Sequence, residues 1–191
     1  METAAKQGDF PSQAGTGARV ARAWLSSFGW RIEGGPPSVP KAVVVAAPHT
    51  SNWDLPFTLA VATALGVRIS WMGKHTLFRP PFGTLMRAVG GLSVDRRSPK
   101  GAVGEAIDLL ARHESLFLVV APAGTRRNTE RWKTGFYRIA QGAGVPIVLG
   151  FLDYGRKVGG FGKIFAPTGD IERDMEAIRE FYAPMRGKRD L

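Results

Sequence analysis

Apolar and polar positions fall into short blocks whose period switches between that of strands and that of helices. Lys41 to Ala47 is a Val-rich apolar run bounded by Pro40 and Pro48, the pattern of a strand buried on both faces. Val67 to Met72, Leu116 to Val120 and Pro146 to Leu152 read as further strands. Helical signals lie between them. Pro56 to Leu65 follows the first strand, and Ser98 with Pro99 supplies an N-cap and a first helical proline ahead of Val103, Ile107 and Leu110. Asp170 caps a last helix with Ile171, Met175, Ile178 and Phe181 on one face. Upstream of all these, Val20, Trp24 and Phe28 recur every four residues between Arg19 and Trp30, with Arg19 and Arg22 beside them. That face suits a helix covering the core or one lying on a membrane surface. Gly34-Gly35-Pro36-Pro37 then breaks the chain, and Gly159-Gly160-Phe161-Gly162-Lys163 reads as turns. Strands alternating with helices predict an α/β domain built of βαβ units, with a mostly parallel, mixed sheet flanked by helices.

The chain has 191 residues, 44% hydrophobic and 22% charged, enough for one sizeable core. Residues 1–17 mix Glu2, Asp9, Gly, Gln and Ser without an apolar stretch, so a flexible leader is expected there and a single domain over 18–191. The longest charge-free stretches, Leu55 to Val67 and Ile139 to Leu152, fall short of the roughly 18–20 apolar residues of a spanning helix. A cytoplasmic protein is expected. With no cysteine, disulfides, thiolate metal sites and a cysteine nucleophile are excluded. The three histidines are scattered, and no metal site is expected. Lys plus Arg number 26 against 16 Asp plus Glu, a formal net charge of +10. That surplus calls for an anionic partner: nucleic acid, an anionic lipid surface or a phosphorylated substrate.

In sheets of this kind ligands gather at the carboxyl ends of the strands, so the loops after Ala47, Met72 and Val120 are where chemistry is expected. The first reads Pro48-His49-Thr50-Ser51-Asn52-Trp53-Asp54. On a continuous helix His49 and Asp54 would stand about 140° apart, so the two meet only across a turn. There Asp54 would fix the imidazole tautomer and leave the other nitrogen as a general base. The competing reading has Asp54 capping the next helix and His49 packing at a strand end. The third loop, Ala121-Pro122-Ala123-Gly124-Thr125-Arg126-Arg127, offers close backbone approach, a hydroxyl and a guanidinium, which together suit phosphate oxygens. From Arg68 to Lys100, seven Lys or Arg face one acid, Asp95; taken alone such a run is usually a solvated face, but beside a base and a phosphate-shaped turn it reads as an anion-binding rim.

These residues resemble the glycerophospholipid acyltransferase family, typified by the 1-acylglycerol-3-phosphate acyltransferases. His49 to Asp54 matches its His-x-x-x-x-Asp motif. Gly73-Lys74-His75-Thr76-Leu77-Phe78 with Pro81-Phe82-Gly83 looks like the block after the second strand, and Gly91-Leu92-Ser93-Val94-Asp95-Arg96 like Gly-x-x-x-x-Asp-Arg. Pro122-Ala123-Gly124-Thr125-Arg126 is similar to Pro-Glu-Gly-Thr-Arg, and Val145-Pro146-Ile147-Val148 to the closing block. The resemblance runs over about residues 40 to 155. It implies a glycerol-3-phosphate acyltransferase-like fold and transfer of a fatty acyl group from acyl-CoA or acyl carrier protein to a hydroxyl of a lysophospholipid or related polar lipid. His49 is then the base oriented by Asp54. Lys74, Arg96 and Arg126 hold the acceptor phosphate, with Thr125 and amides near Gly124 completing the cradle, and no cofactor is needed beyond the acyl donor.

One position departs. Ala123 stands where the family has glutamate, and since a methyl group accepts no hydrogen bond, weakened or abolished turnover is expected. A non-catalytic lipid- or phosphate-binding protein is therefore an alternative, as is a thioester or ester hydrolase using the same base. With no Cys and no Gly-x-Ser-x-Gly elbow, direct attack by the acceptor is favoured over an acyl-enzyme. Peripheral, salt-sensitive association with the inner face of an anionic membrane is expected, through basic side chains with Trp24, Phe28 and Trp30. Arg131-Trp132-Lys133 with Phe136 and Tyr137 has the residue types that grip single-stranded nucleic acid, but no recognised motif accompanies them, and no nucleic acid is expected.

Overall fold

The β-branched runs are strands because both faces of a central parallel strand must be apolar. The computed structural model describes residues 15–94, 101–122 and 132–190, with Lys74 and Val94 described by their backbone alone. Its helices are α1 Thr16–Ser27, α2 Asp54–Ala64, α3 Gly83–Ala88, α4 Gly101–Arg112, α5 Gly135–Ala143 and α6 Ile171–Tyr182. Its strands are β1 Arg31–Glu33, β2 Lys41–Ala47, β3 Ile69–Lys74, β4 Gly91–Val94, β5 Leu116–Val120, β6 Ile147–Asp153 and β7 Val158–Phe165. Short 3-10 turns cover His75–Phe78 and Lys188–Asp190. The strands form one sheet in the order β1-β7-β6-β2-β5-β3-β4. Every pairing is parallel except β6 with β7, which is the mostly parallel, mixed α/β sheet expected.

Each face of the sheet carries its own apolar layer. Ala42, Val44, Phe117 and Val148 pack beneath α1 and α2, while Val43, Val45, Leu118 and Ile147 pack beneath α4, α5 and α6. Helix α2 is charge-free after Asp54 because it is sandwiched between the sheet and α1. Arg22 of α1 donates to the Ala64 carbonyl at 2.8 Å, and Lys41 donates to the carbonyls of Leu110 and His113, both at 2.8 Å. Two helix C-termini are thus met by cations where the helix dipole is negative. The His113 ring lies 2.9 Å from the Leu109 carbonyl in the same last turn.

Several expectations are corrected. Helix α1 begins at Thr16, inside the stretch read as leader, and buries Ala18, Ala21 and Leu25. Val20 is 63% exposed and Phe28 43%, because Ala18, Ala21 and Leu25 take the inward positions; Trp24 and Phe28 still reach α2, their rings 5.0 and 5.7 Å from that of Phe57. Trp30 is buried against Phe57 and Tyr154 and is lost to any membrane face. Gly159 to Lys163 is not a turn but part of β7. A Cβ at Gly160 would strike the Glu33 carbonyl of the paired strand, so the glycines serve close strand approach. Phe136 and Tyr137 are core residues of α5, so neither can stack on a base. The Ser98-Pro99 cap lies outside the described residues.

Candidate active site

Strand β2 stops at Ala47 because Pro48 follows, and the next five residues turn back on themselves before α2 begins. Asp54, the first residue of that helix, organises the turn. Its Oδ2 accepts the Thr50 and Ser51 amides, both at 2.8 Å, and lies 3.0 Å from His49 Nδ1. Its Oδ1 accepts the Tyr154 hydroxyl at 2.8 Å. The carboxylate therefore bonds backward into the loop instead of capping its own helix, for which no side-chain cap bond forms. The His–Asp pairing that needed a turn is present, and the turn is held by the same carboxylate.

Four donors converge on one buried anion. Burial alone would raise the Asp54 carboxyl, but hydrogen bonds from His49, the Ser51 amide and Tyr154 outweigh it and hold the group below the ordinary carboxylate range. Burial, together with donation to Asp54, pushes the Tyr154 phenol far up, so it stays a neutral donor. With Nδ1–H given to Asp54, the imidazole presents Nε2 as an acceptor. The His49 side chain retains 25% of its exposure, against 5% for Asp54, and lines a cavity of about 260 Å³ between α2 and the sheet. Leu55, Val61, Trp71, Val119, Leu152 and Phe161 give that cavity apolar walls.

The loop is also held from behind. Thr50 is buried, and its hydroxyl accepts the Arg189 amide at 3.3 Å. Gly187 packs so closely that a Cβ would come within 2.6 Å of the Thr50 side chain. The Arg186 carbonyl accepts the Tyr154 amide at 2.9 Å, and Lys188 Nζ lies 4.8 Å from the centre of the Trp53 ring. The segment after α6 is thus a strap across the His49–Asp54 turn.

Of the residues expected at the site, His49 and Asp54 are brought together. Lys74 ends β3, its Cα in register with Val94 of β4, at the same carboxyl edge of the sheet as His49. Its side chain, and Arg96, Ala123, Gly124, Thr125 and Arg126, lie outside the described residues. Strand β5, which leads to the last four, is paired beside β2 with Val45 opposite Val120. His75 is exposed in the 3-10 turn after β3. Among the described residues no cluster of His, Asp or Glu has metal-binding geometry, and no helix is long and apolar enough to cross a membrane.

Tyr154 and the strap were not foreseen. The rule that pointed to the ends of β2, β3 and β5 applies equally to β6, whose end carries Tyr154, and would have found it. Tyr154→Phe keeps the ring packed on Trp30 and Phe57 and deletes one donor to the carboxylate. Because Asp54 is held low, its bonds stabilise the fold above the unfolded carboxyl pKa of about 3.9, and that stabilisation is lost as pH falls through the lower folded value. The variant is expected to be about 1–3 kcal/mol less stable at pH 7, with the gap shrinking below about pH 4. Urea unfolding at the two pH values measures both quantities.

Residues 33–148 match the sequence profile of the family described as Acyltransferase. No curated protein matches the chain in sequence. Among solved structures, the fold resembles the 1-acyl-sn-glycerophosphate acyltransferase PlsC from Thermotoga maritima. The TM-score is 0.62 at 17% identity, over 87% of this chain and 77% of that one.

Proposed function

The chain belongs to the acyltransferase family, and from that premise we propose that it moves a fatty acyl group from a thioester donor, acyl-CoA or acyl carrier protein, to a hydroxyl of a lysophospholipid or related polar lipid. The observation that carries this reading is the His49–Asp54 pair, 3.0 Å apart, opening on an apolar cavity. A base beside an apolar space is what acyl transfer to an alcohol needs.

An alcohol is a poor nucleophile until its proton is removed. His49 Nε2 takes that proton as the acceptor oxygen attacks the thioester carbon, and Asp54 stabilises the imidazolium that forms. When the tetrahedral adduct collapses, the C–S bond breaks and the leaving thiolate recovers the proton from His49. Direct attack by the acceptor oxygen is favoured over an acyl-enzyme, since the chain has neither a cysteine nor a Gly-x-Ser-x-Gly elbow. Lys74, Arg96 and Arg126, with Thr125 and the Gly124 amide, hold the acceptor's phosphate in this reading, and the acyl donor is a co-substrate, with no further cofactor. The protein would work peripherally, on the inner face of an anionic membrane.

Ala123 favours a second reading, a lipid- or phosphate-binding protein without turnover. The test is mass spectrometry of lipids after incubating the protein with an acyl-CoA panel and mixed lyso-lipids. Acceptor-dependent appearance of diacyl product is the expected result. Free fatty acid released equally with and without acceptor would make it a hydrolase, and no product from either the native chain or Ala123→Glu would leave only binding. Ala123→Glu is expected to raise the transfer rate, by restoring a carboxylate acceptor among Pro122, Gly124, Thr125 and Arg126. An unchanged rate would show that position 123 carries no function here.

A further inference from the structure

Resting on the reading of the His49 cavity as an acyl site, we propose that the segment from His75 to Ala88 is the face by which this protein docks on an anionic lipid bilayer, delivering lipid to the cavity past Leu77. Seven large hydrophobic side chains are exposed among the described residues, and three fall within this segment: Phe82 at 66%, Leu85 at 56% and Leu77 at 49%. Phe82 and Leu85 flank the start of α3, and neither lines the cavity.

The exposure is built into the fold. Phe78 is the residue that turns inward, buried with its ring 6.0 Å from that of Trp71. A Cβ at Gly83 would collide with the Phe78 carbonyl, and Gly83 N–H donates to the Arg79 carbonyl at 3.0 Å. Trp71 Nε1–H donates to the Val89 carbonyl at 3.0 Å. With Phe78 as the anchor, Leu77, Phe82 and Leu85 are left facing solvent, where a protein with no surface to meet would place polar residues.

Charge selects the occupant. From Leu55 to Val94 there is no Asp or Glu, while Arg68, Lys74, Arg79 and Arg87 are all present. Arg79 and Arg87 are exposed on the segment itself, the Arg87 guanidinium 5.6 Å from the centre of the Phe78 ring. Apolar side chains flanked by cations, with no anion among them, fit an anionic leaflet: the first enter the boundary of headgroups and chains, and the second meet phosphates. An acidic carrier protein would satisfy the arginines but leave Phe82 and Leu85 unexplained. Continuity with the site completes the case, because Leu77 lines the same cavity as His49.

The test compares Phe82→Ser/Leu85→Ser and Arg79→Glu with Val20→Ser/Phe28→Ser, which alters the other exposed apolar face, on α1. Co-sedimentation uses vesicles of phosphatidylglycerol with phosphatidylcholine, against phosphatidylcholine alone, at low and high salt. The wild type is expected to bind the anionic vesicles in low salt. Phe82→Ser/Leu85→Ser should bind about tenfold or more weakly, Arg79→Glu should lose most of the salt-sensitive part, and Val20→Ser/Phe28→Ser should bind as the wild type does. Retained binding in the first variant with loss in the α1 variant would move the docking face to α1 and overturn the proposal. So would absence of wild-type binding, or a defect of the first two variants confined to turnover with a soluble acyl carrier protein. Turnover of short-chain, monomeric substrates, which needs no docking, is read in parallel. If that turnover is absent while the vesicle results hold, the acyl-transfer reading fails and the docking face stands.

Discussion

Replacing His49 with alanine is expected to lower kcat for acyl transfer about 10²–10⁴-fold while KM for either substrate changes little. The ring contributes one acceptor nitrogen to a cavity whose walls are mainly aliphatic and aromatic, so its removal subtracts little binding surface. What disappears is the means of taking a proton from an alcohol as it attacks, worth about 3–5 kcal/mol of barrier. Added imidazole should recover part of the lost rate by occupying the vacated space, and vesicle binding should be unaffected. Steady-state kinetics with and without imidazole checks each point. A variant that turns over within a few-fold of the native rate would mean that another group takes the proton.

Asp54→Asn is expected to damage both chemistry and fold. Two carboxylate oxygens receive four donors: the Thr50 and Ser51 amides, the imidazole and the Tyr154 hydroxyl. A carboxamide has one acceptor oxygen and sets an NH2 in place of the other. If the oxygen stays where Oδ2 was, His49 keeps its tautomer but loses the negative charge that supports an imidazolium. If the side chain flips, NH2 faces two amide N–H groups and the imidazole, so the loop opens and His49 takes the unproductive tautomer. Either way kcat should fall about 10³–10⁴-fold, the scale seen when the carboxylate of a Ser-His-Asp triad is amidated. Loss of charge-assisted bonds at a buried position should cost about 2–4 kcal/mol at pH 7. Wild-type Asp54 ionises low, so its advantage is complete above about pH 4 and fades below it; the difference between the two proteins should shrink as pH is lowered. Denaturant titrations over that range, with kcat at pH 7, decide the matter, and a kcat within tenfold of native would remove Asp54 from the mechanism.

The central strands were legible because burial on both faces leaves a contiguous apolar run, and Lys41–Ala47 and Leu116–Val120 are bounded as read. Strand β7, which lies between β1 and β6, was not. It is rich in glycine since close packing excludes Cβ there, and glycine in sequence looks like a turn. Helix α1 was legible only in part: of the residues spaced by four, Trp24 and Phe28 do reach Phe57 of α2, while Val20 is exposed and the deepest positions belong to Ala18, Ala21 and Leu25. At the site, the spacing of His49 and Asp54 was informative because the chemistry requires a particular short loop. Tyr154 lies 100 residues from the aspartate it bonds, and Arg189 lies 139 residues from Thr50. Partners brought together only by the closing of the fold leave no local period to read, although the end of β6 was a place where one could be sought.

The strap across the His49–Asp54 turn bears on how the enzyme matures during synthesis. A nascent chain that has left the ribosome only as far as β6 already carries the imidazole and its aspartate, yet lacks the phenol that fills Oδ1 and the amide that secures Thr50. Reactive capability would therefore arrive late, after α6 has closed over the sheet and the residues following it have reached the loop, so that a half-made polypeptide would not have a competent site.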